Sequence, residues 1–236
     1  MPTVKNAVIA AAGLGSRLGH GKPKCLVEID GVTIISHLLS LLSDVEDVRV
    51  VIGFEERAVI SEIKRIRPDV IAVRNPDFRS TTTLHSYAAG ARYMKGDCLF
   101  MDGDILFEPD SFKRFAATCE PNRPLLAITK TKTKDAVFLD LDGDMVTRLR
   151  RGRPSEYEWA NVAWLPISFF QHLENTPVFE HLAQFMPIEA GILTSYEIDT
   201  ETDLLQAQQN RHLFRLGTAS TVAPLHSDDA FWRVQD

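Results

Sequence analysis

Ala11-Ala12-Gly13-Leu14-Gly15-Ser16-Arg17-Leu18-Gly19 follows directly on an apolar run that begins at Val4 and ends at Ala12. A short continuous apolar run is the pattern of a strand buried on both faces. The glycines therefore fall at the carboxyl edge of a sheet, where α/β folds bind their ligands. Gly13 and Gly15 let the backbone pass close to a phosphate chain, and N–H groups exposed there can form an anion-binding concavity. Two specialised phosphate loops do not fit. The dinucleotide fingerprint GxGxxG would need its third glycine one residue before Gly19, and Pro23 interrupts the helix that should open at once. A Walker loop would need GxxxxGK followed by Ser or Thr, which is absent. What remains is GxGxR, with the charge of Arg17, followed by Lys22-Pro23-Lys24.

Outward from this loop the pattern repeats. Residues 49–52, 70–73 and 98–101 are further short apolar runs, and between them 33–42, 55–66 and 83–94 carry apolar residues three or four apart. Strands alternating with one-faced helices predict a parallel sheet joined by crossovers. From about Pro124 the rhythm changes: 125–129, 137–141 and 145–149 read as strands, with Asp142-Gly143 as a hairpin turn. A strand at 195–199 and a helix at 201–211 follow. The expected fold is a Rossmann-like, mixed but mostly parallel sheet flanked by helices, with a smaller β region after it. One domain over 1–216 divides at about residue 124, into a half that carries the glycine loop (1–123) and a half of hairpin-like strands (124–216). Residues 217–236 lack periodicity and read as a loosely ordered or partner-bound tail.

Composition excludes several function classes. Of 236 residues 44% are hydrophobic, enough for a sizeable core, and the formal net charge is −6 without a sustained basic stripe. Nucleic acid is therefore not an expected partner. Cys25, Cys98 and Cys119 lie far apart, form no CxxC pair and read as reduced thiols. No run is long enough for a membrane span or a signal peptide, so the cytoplasm is the expected compartment. A homodimer is compatible with the sequence. The seven histidines show no metal-type spacing, and His85 alone falls near the expected site.

Acidic residues supply the second half of the chemistry. Asp102-Gly103-Asp104 closes the run 98–101, so both acids belong at a strand end beside the first loop. Carboxylates there suit Mg²⁺, which is held by one or two of them together with substrate phosphates and waters. Asp199 ends another short strand and precedes a helix whose first turn holds Glu201 and Asp203, a position that also suits a helix cap. Asn75-Pro76-Asp77-Phe78-Arg79-Ser80-Thr81-Thr82-Thr83-Leu84-His85-Ser86 is a polar loop entering a helix, where Thr82 and Thr83 could equally cap.

These motifs together resemble the nucleotidyltransferase, or pyrophosphorylase, superfamily, whose loop reads AAGxGxR followed by PK. The resemblance extends over about residues 4–211 and implies that 1–123 is the nucleotide-binding half and 124–216 the acceptor-side half, with the smaller β region on the acceptor side. It implies that Ala11, Ala12, Gly13, Gly15 and Ser16 wrap a triphosphate and that Arg17 and Lys24 neutralise it and the departing pyrophosphate. Tyr196-Glu197-Ile198-Asp199, followed by acidic and Leu positions, is similar to the closing motif of the phosphocholine and phosphonate cytidylyltransferase branch. There the matching Asp is the second metal ligand, which implies Asp104 and Asp199 as ligands. Asp102 is left to face the ribose, to support the site or to stabilise the turn. The same branch carries a stretch like NPxYxxTNT/NNxxSL, matched at Asn75, Thr82, Thr83 and Ser86, with Thr83 where Asn is common and Tyr87 in place of Leu. The implied partners are an NTP, CTP in that branch, and a small phosphate- or phosphonate-bearing acceptor.

On the acceptor side the sequence departs from the choline-type pattern, since Asp135-Ala136-Val137-Phe138 stands where a Glu-Trp-Phe-type stretch would carry a cage Trp. Trp159 and Trp164 either replace it or belong to the core. Asp135, Glu158 and Glu189 are acids that could meet an acceptor amine, and the run Arg148, Arg150, Arg151, Arg153 either receives an anion or is a solvated strand end. A primary amine or a polyol phosphate is as reasonable an acceptor as phosphocholine. Two other readings stay open: a sugar-1-phosphate nucleotidyltransferase using UTP, dTTP or GTP, and a noncatalytic nucleotide sensor.

Overall fold

Apolar runs become strands here because alternate residues of each find a separate core on either side. In chain order the elements are β1 (Asn6–Ala11), β2 (Glu28–Ile29), β3 (Val32–Thr33), α1 (Ile34–Leu41), β4 (Asp47–Ile52), α2 (Glu56–Ile66), β5 (Ile71–Arg74), α3 (Thr83–Ala91), β6 (Asp97–Asp102), β7 (Ile105–Phe107) and α4 (Pro109–Thr118). They continue with β8 (Leu125–Lys130), β9 (Phe138–Asp142), β10 (Met145–Arg150), β11 (Tyr157–Pro166), α5 (Val178–Leu182), β12 (Ile188–Ile192), β13 (Ser195–Glu197) and α6 (Glu201–Gln209). This computed structural model describes residues 4–15, 18, 21–132, 135–171 and 173–215. Ser16, Arg17 and the tail from 217 onward, singled out above, lie outside the described residues.

Nine strands form one sheet in the order β5-β4-β1-β6-β11-β8-β12-β10-β9. The first four are parallel, as the alternation of runs and helices predicts. β11 then enters antiparallel to both β6 and β8, which makes the sheet mixed. In β1, Ala7, Ile9 and Ala11 join a core shared with α1, α2 and α4, while Val8 joins the core under α3 and α5. That split is the period-2 signature of a strand sandwiched between helical layers. β7 and β13 form a separate antiparallel ribbon, Ser195 opposite Phe107 and Glu197 opposite Ile105.

Two of the expected helices end early, 83–94 at Ala91 and 201–211 at Gln209, and the start of the second is fixed by a cap. α3 stops at Ala91, short of Met94, because Arg92 leaves the helical region and Tyr93 is left-handed at φ 67°. α6 is capped by Thr200, whose hydroxyl accepts from the Asp203 N–H while Asp203 accepts from the Thr200 N–H. This reciprocal capping box gives to Thr200 and Asp203 the capping role that the sequence allowed Asp199. Among the described residues no helix is long and apolar enough to cross a membrane.

Candidate active site

The carboxyl edge of β1 and β6 opens into a cavity of about 680 Å³. Ala11, Ala12, Gly13 and Gly15 line it, followed by Lys24 from the short 3-10 turn after Pro23. Gly15 sits at φ 63°, and a Cβ there would lie 3.0 Å from the Lys22 carbonyl and 3.1 Å from Lys24 Cγ. The glycine thus lets the loop close down on the segment that carries Lys24. Gly103 has a comparable reason: its N–H donates to the Ala10 carbonyl at 2.8 Å, and a Cβ would come to 2.9 Å of that oxygen. Close packing of the Asp-Gly-Asp turn on β1 puts the acids beside the glycine loop.

Lys24 Nζ donates to Asp104 Oδ2 at 2.8 Å and also to Asp199 Oδ1. Side chains 80 and 175 residues apart in the chain thereby converge on one ammonium. Burial alone would lower the pKa of Lys24, but Asp104 and Asp199 outweigh it and raise it, so the lysine stays charged. A third acid, Glu197, joins them: oxygens of Asp104, Glu197 and Asp199 lie within 4.8 Å of one another. Burial, then the charges of Asp104, Asp199 and Asp102, push Glu197 up to about 8. The sequence reading missed Glu197, although a strand places residues two apart on one face and Asp199 was already singled out.

Asp102 has a different environment. It accepts from the Tyr87 hydroxyl at 2.6 Å, and burial followed by the Asp104 charge raises its pKa to about 7. It lines the cavity but not the acidic trio.

The polar loop before α3 also lines the cavity through Asn75, Thr82, Thr83 and Ser86. Asn75 is buried, its Nδ2 donates to Thr81 Oγ1 and Ser86 Oγ at 3.1 Å each, and its Oδ1 accepts from the Asp77 N–H. It clasps the loop. Thr82 occupies the N-cap position without a side-chain cap bond and instead donates to the Thr176 carbonyl at 2.7 Å. His85 is absent from the cavity lining.

Lys132, Asp135, Arg151, Glu158, Trp159 and Asn161 also line the cavity. Glu158 is buried and accepts from the Lys132 N–H at 3.1 Å. Burial lowers the Lys132 pKa while Glu158 raises it, with a net decrease. The Arg151 guanidinium lies 5.6 Å from the Phe179 ring centroid. Trp159 lines the cavity although only 6% exposed, its indole N–H donating to the Val162 carbonyl at 3.1 Å. Trp164 belongs to the core, donating to the Glu120 carbonyl. Glu189 requires a correction: it lies on β12 outside the cavity lining, and the Arg123 guanidinium donates to both its oxygens at 2.8 and 2.9 Å. An acid held in that bidentate pair is committed to the surface of the sheet.

The CMP-5'-(3-aminopropyl)phosphonate synthase of Streptomyces rubellomurinus is 31% identical over 180 residues, 70% of this chain and 29% of that protein. The 2-aminoethylphosphonate cytidylyltransferase of Lancefieldella rimae is 28% identical over 193 residues, 77% of this chain and 71% of that protein. This chain spans under half the length of several curated relatives, the bifunctional GlmU proteins of Methanococcus (44% and 42%) among them. Among solved structures, the inositol-1-phosphate CTP transferase from T. maritima superposes with a TM-score of 0.79 at 18% identity, covering 92% of this chain and 98% of that one, a likeness of fold. The family model of the MobA-like NTP transferase domain matches residues 7–186, and the chain belongs to that nucleotidyltransferase family.

Proposed function

We propose that the chain transfers CMP from CTP to a small acceptor bearing a phosphonate or phosphate, with Mg²⁺, releasing pyrophosphate. The observation that carries this reading is the convergence of Lys24, Asp104 and Asp199 beside the glycine loop in one cavity. The donor set suits magnesium: carboxylate oxygens are hard ligands, and a lysine ammonium already sits between two of them as a cation. Asp104 and Asp199 would hold the ion, which would neutralise triphosphate charge and polarise the α-phosphate.

The chain's own residues bind and orient. Backbone N–H groups at Gly13 and Gly15 take the phosphates, and Lys24 moves its charge onto them and onto the leaving group; Arg17 is assigned the same task. Asn75, Thr82, Thr83 and Ser86 face the base and ribose, and Asp102 the ribose side. An acceptor oxygen, ionised at neutral pH, forms a bond to the α-phosphorus. The bond from that phosphorus to the bridging oxygen breaks, and its electron pair leaves with pyrophosphate. No protein nucleophile or base is required, so catalysis is in-line positioning with charge neutralisation.

The relatives named for aminoalkylphosphonates support CTP and a phosphonate acceptor. So does the rest of the cavity lining, where Lys132 and Arg151 suit an anion and the exposed Asp135 suits an amine. With Trp159 as one aromatic wall, a hydrogen-bonded primary amine fits better than a quaternary ammonium that needs a cage. The test is pyrophosphate release from CTP, UTP, dTTP and GTP, each with aminoalkylphosphonate, phosphocholine, inositol 1-phosphate and sugar 1-phosphate acceptors. CTP with an aminoalkylphosphonate is expected to be the active pair. Inert CTP beside an active UTP, dTTP or GTP would replace the cytidylyl assignment, and nucleotide binding without pyrophosphate release across the panel would make the chain a sensor.

A further inference from the structure

β11 does not run straight past the site. Its partners on β8 shift between Trp159, opposite Ile128, and Ala163, opposite Leu126, so four steps on β11 match two on β8. A bulge of this kind unpairs residues and re-aims their side chains, and bulges are frequent beside active sites. Asn161 lies in it at φ 51°, a left-handed conformation that asparagine adopts more readily than other non-glycine residues. Six described non-glycine residues have positive φ, and Asn161 alone among them lines the active cavity. Its Nδ2 donates to Glu197 Oε2 at 3.1 Å.

Glu197 belongs to the β7–β13 ribbon, so this bond ties the ribbon to the main sheet at the point where the acids meet. Three carboxylates within 4.8 Å of one another repel. Lys24 is bonded to Asp104 and Asp199. An amide donor is suited to the third: it fixes one oxygen and brings no charge of its own to compete with a cation. We infer that Asn161 is a positioning residue, presented by the bulge, whose amide holds Glu197 as a third carboxylate for the divalent cation of Asp104 and Asp199. This rests on the metal-dependent transfer proposed above.

Mn²⁺ titrated into the purified full chain, alone and with CTP, and followed by electron paramagnetic resonance tests it. Asn161→Gly keeps a backbone that accepts positive φ and removes the amide. Its Mn²⁺ affinity should fall about 10-fold or more, as for other partners that orient metal ligands, with a melting temperature close to wild type. Glu197→Gln should lose at least as much, and in the double variant the losses should not add, because both remove one interaction. Asn161→Ala carries the same expectation should the glycine variant not fold. Wild-type Mn²⁺ affinity in the Asn161 variants, additive losses, or no Mn²⁺ binding by the wild type in either titration would overturn the inference. Transfer activity is scored separately: Mn²⁺ held through Glu197 and Asn161 by a chain that transfers no CMP would refute the function and leave the metal site standing.

Discussion

Two carboxylates separated by a single glycine end in different chemical situations. Asp102 is paired with a tyrosine hydroxyl and Asp104 with a lysine ammonium, so the two should respond differently to removal. Asp104→Ala takes away a proposed cation ligand and one of the anchors of Lys24, and pyrophosphate release should fall at least ~10²-fold. Turnover within a few-fold of wild type would remove Asp104 from the metal site. Gly103→Ala addresses the turn itself. Its Cβ would press on the Ala10 carbonyl and on Ala11, 3.0 Å away at Cβ, both parts of the central strand. A strand backbone yields poorly, and a loss of about 1–3 kcal/mol in urea unfolding is expected, whereas a loss near zero would mean the turn can slide. At this scale the sequence was most legible where chemistry is local. The glycine loop, Lys24 and the Asp-Gly-Asp turn are contiguous motifs, so their residue types alone reveal them. Lys132 and Asn161 reach the cavity through β-strand pairing and a bulge, neither of which leaves a motif, and Glu189 was misread because nothing local distinguishes an acid facing Arg123 from one facing a substrate.

Elements add a dependence on pH that lies away from the chemistry. α1 packs against β7 through His37, a buried ring whose Nε2 donates to the Phe107 carbonyl at 2.9 Å and whose edge meets Phe214. Burial lowers its pKa to about 4 from an ordinary 6.5, the bond to Phe107 opposing the shift. The folded chain therefore keeps His37 neutral in a range where the unfolded chain protonates it. Stability from this source is complete above pH 6.5, declines as pH falls below it, and is lost by about pH 4, on the order of 3 kcal/mol in all. Replacing His37 by Gln removes the titration. Denaturation midpoints measured from pH 7 down to 4 should drop more steeply for wild type than for the variant, and parallel curves would show that His37 is not buried as a neutral ring. The periodicity of 33–42 marks α1 as a helix with a buried face, but a histidine inside that face carries no sign in the sequence of what lies opposite it. The mixed character of the sheet was hidden for a similar reason. Tyr157 to Pro166 is an apolar strand like its neighbours, and its reversed direction is decided by long-range pairing with β6 and β8.

The whole molecule bears on whether its two halves are separable. The rhythm of the sequence changes near Pro124, yet the sheet continues across that point, because β11, from the second half, is inserted between β6 and β8. β7, from the first half, has its ladder partner in β13, and Lys24 has one of its two carboxylates at Asp199. A fragment ending at residue 123 would leave β6 with a bare edge beside the buried Phe100 and Met101. Exposed apolar edges of this kind invite association. Such a fragment is expected to aggregate or remain unfolded by circular dichroism and sedimentation, while the full chain unfolds in one transition seen alike by fluorescence and circular dichroism. A soluble, cooperatively melting fragment would make the nucleotide half an independent folding unit. Its failure to fold would place the second half, which carries Glu197 and Asp199, among the conditions for folding: the half that supplies these two acids also supplies the strand beside β6, so the site could not form before the second half had closed on the first.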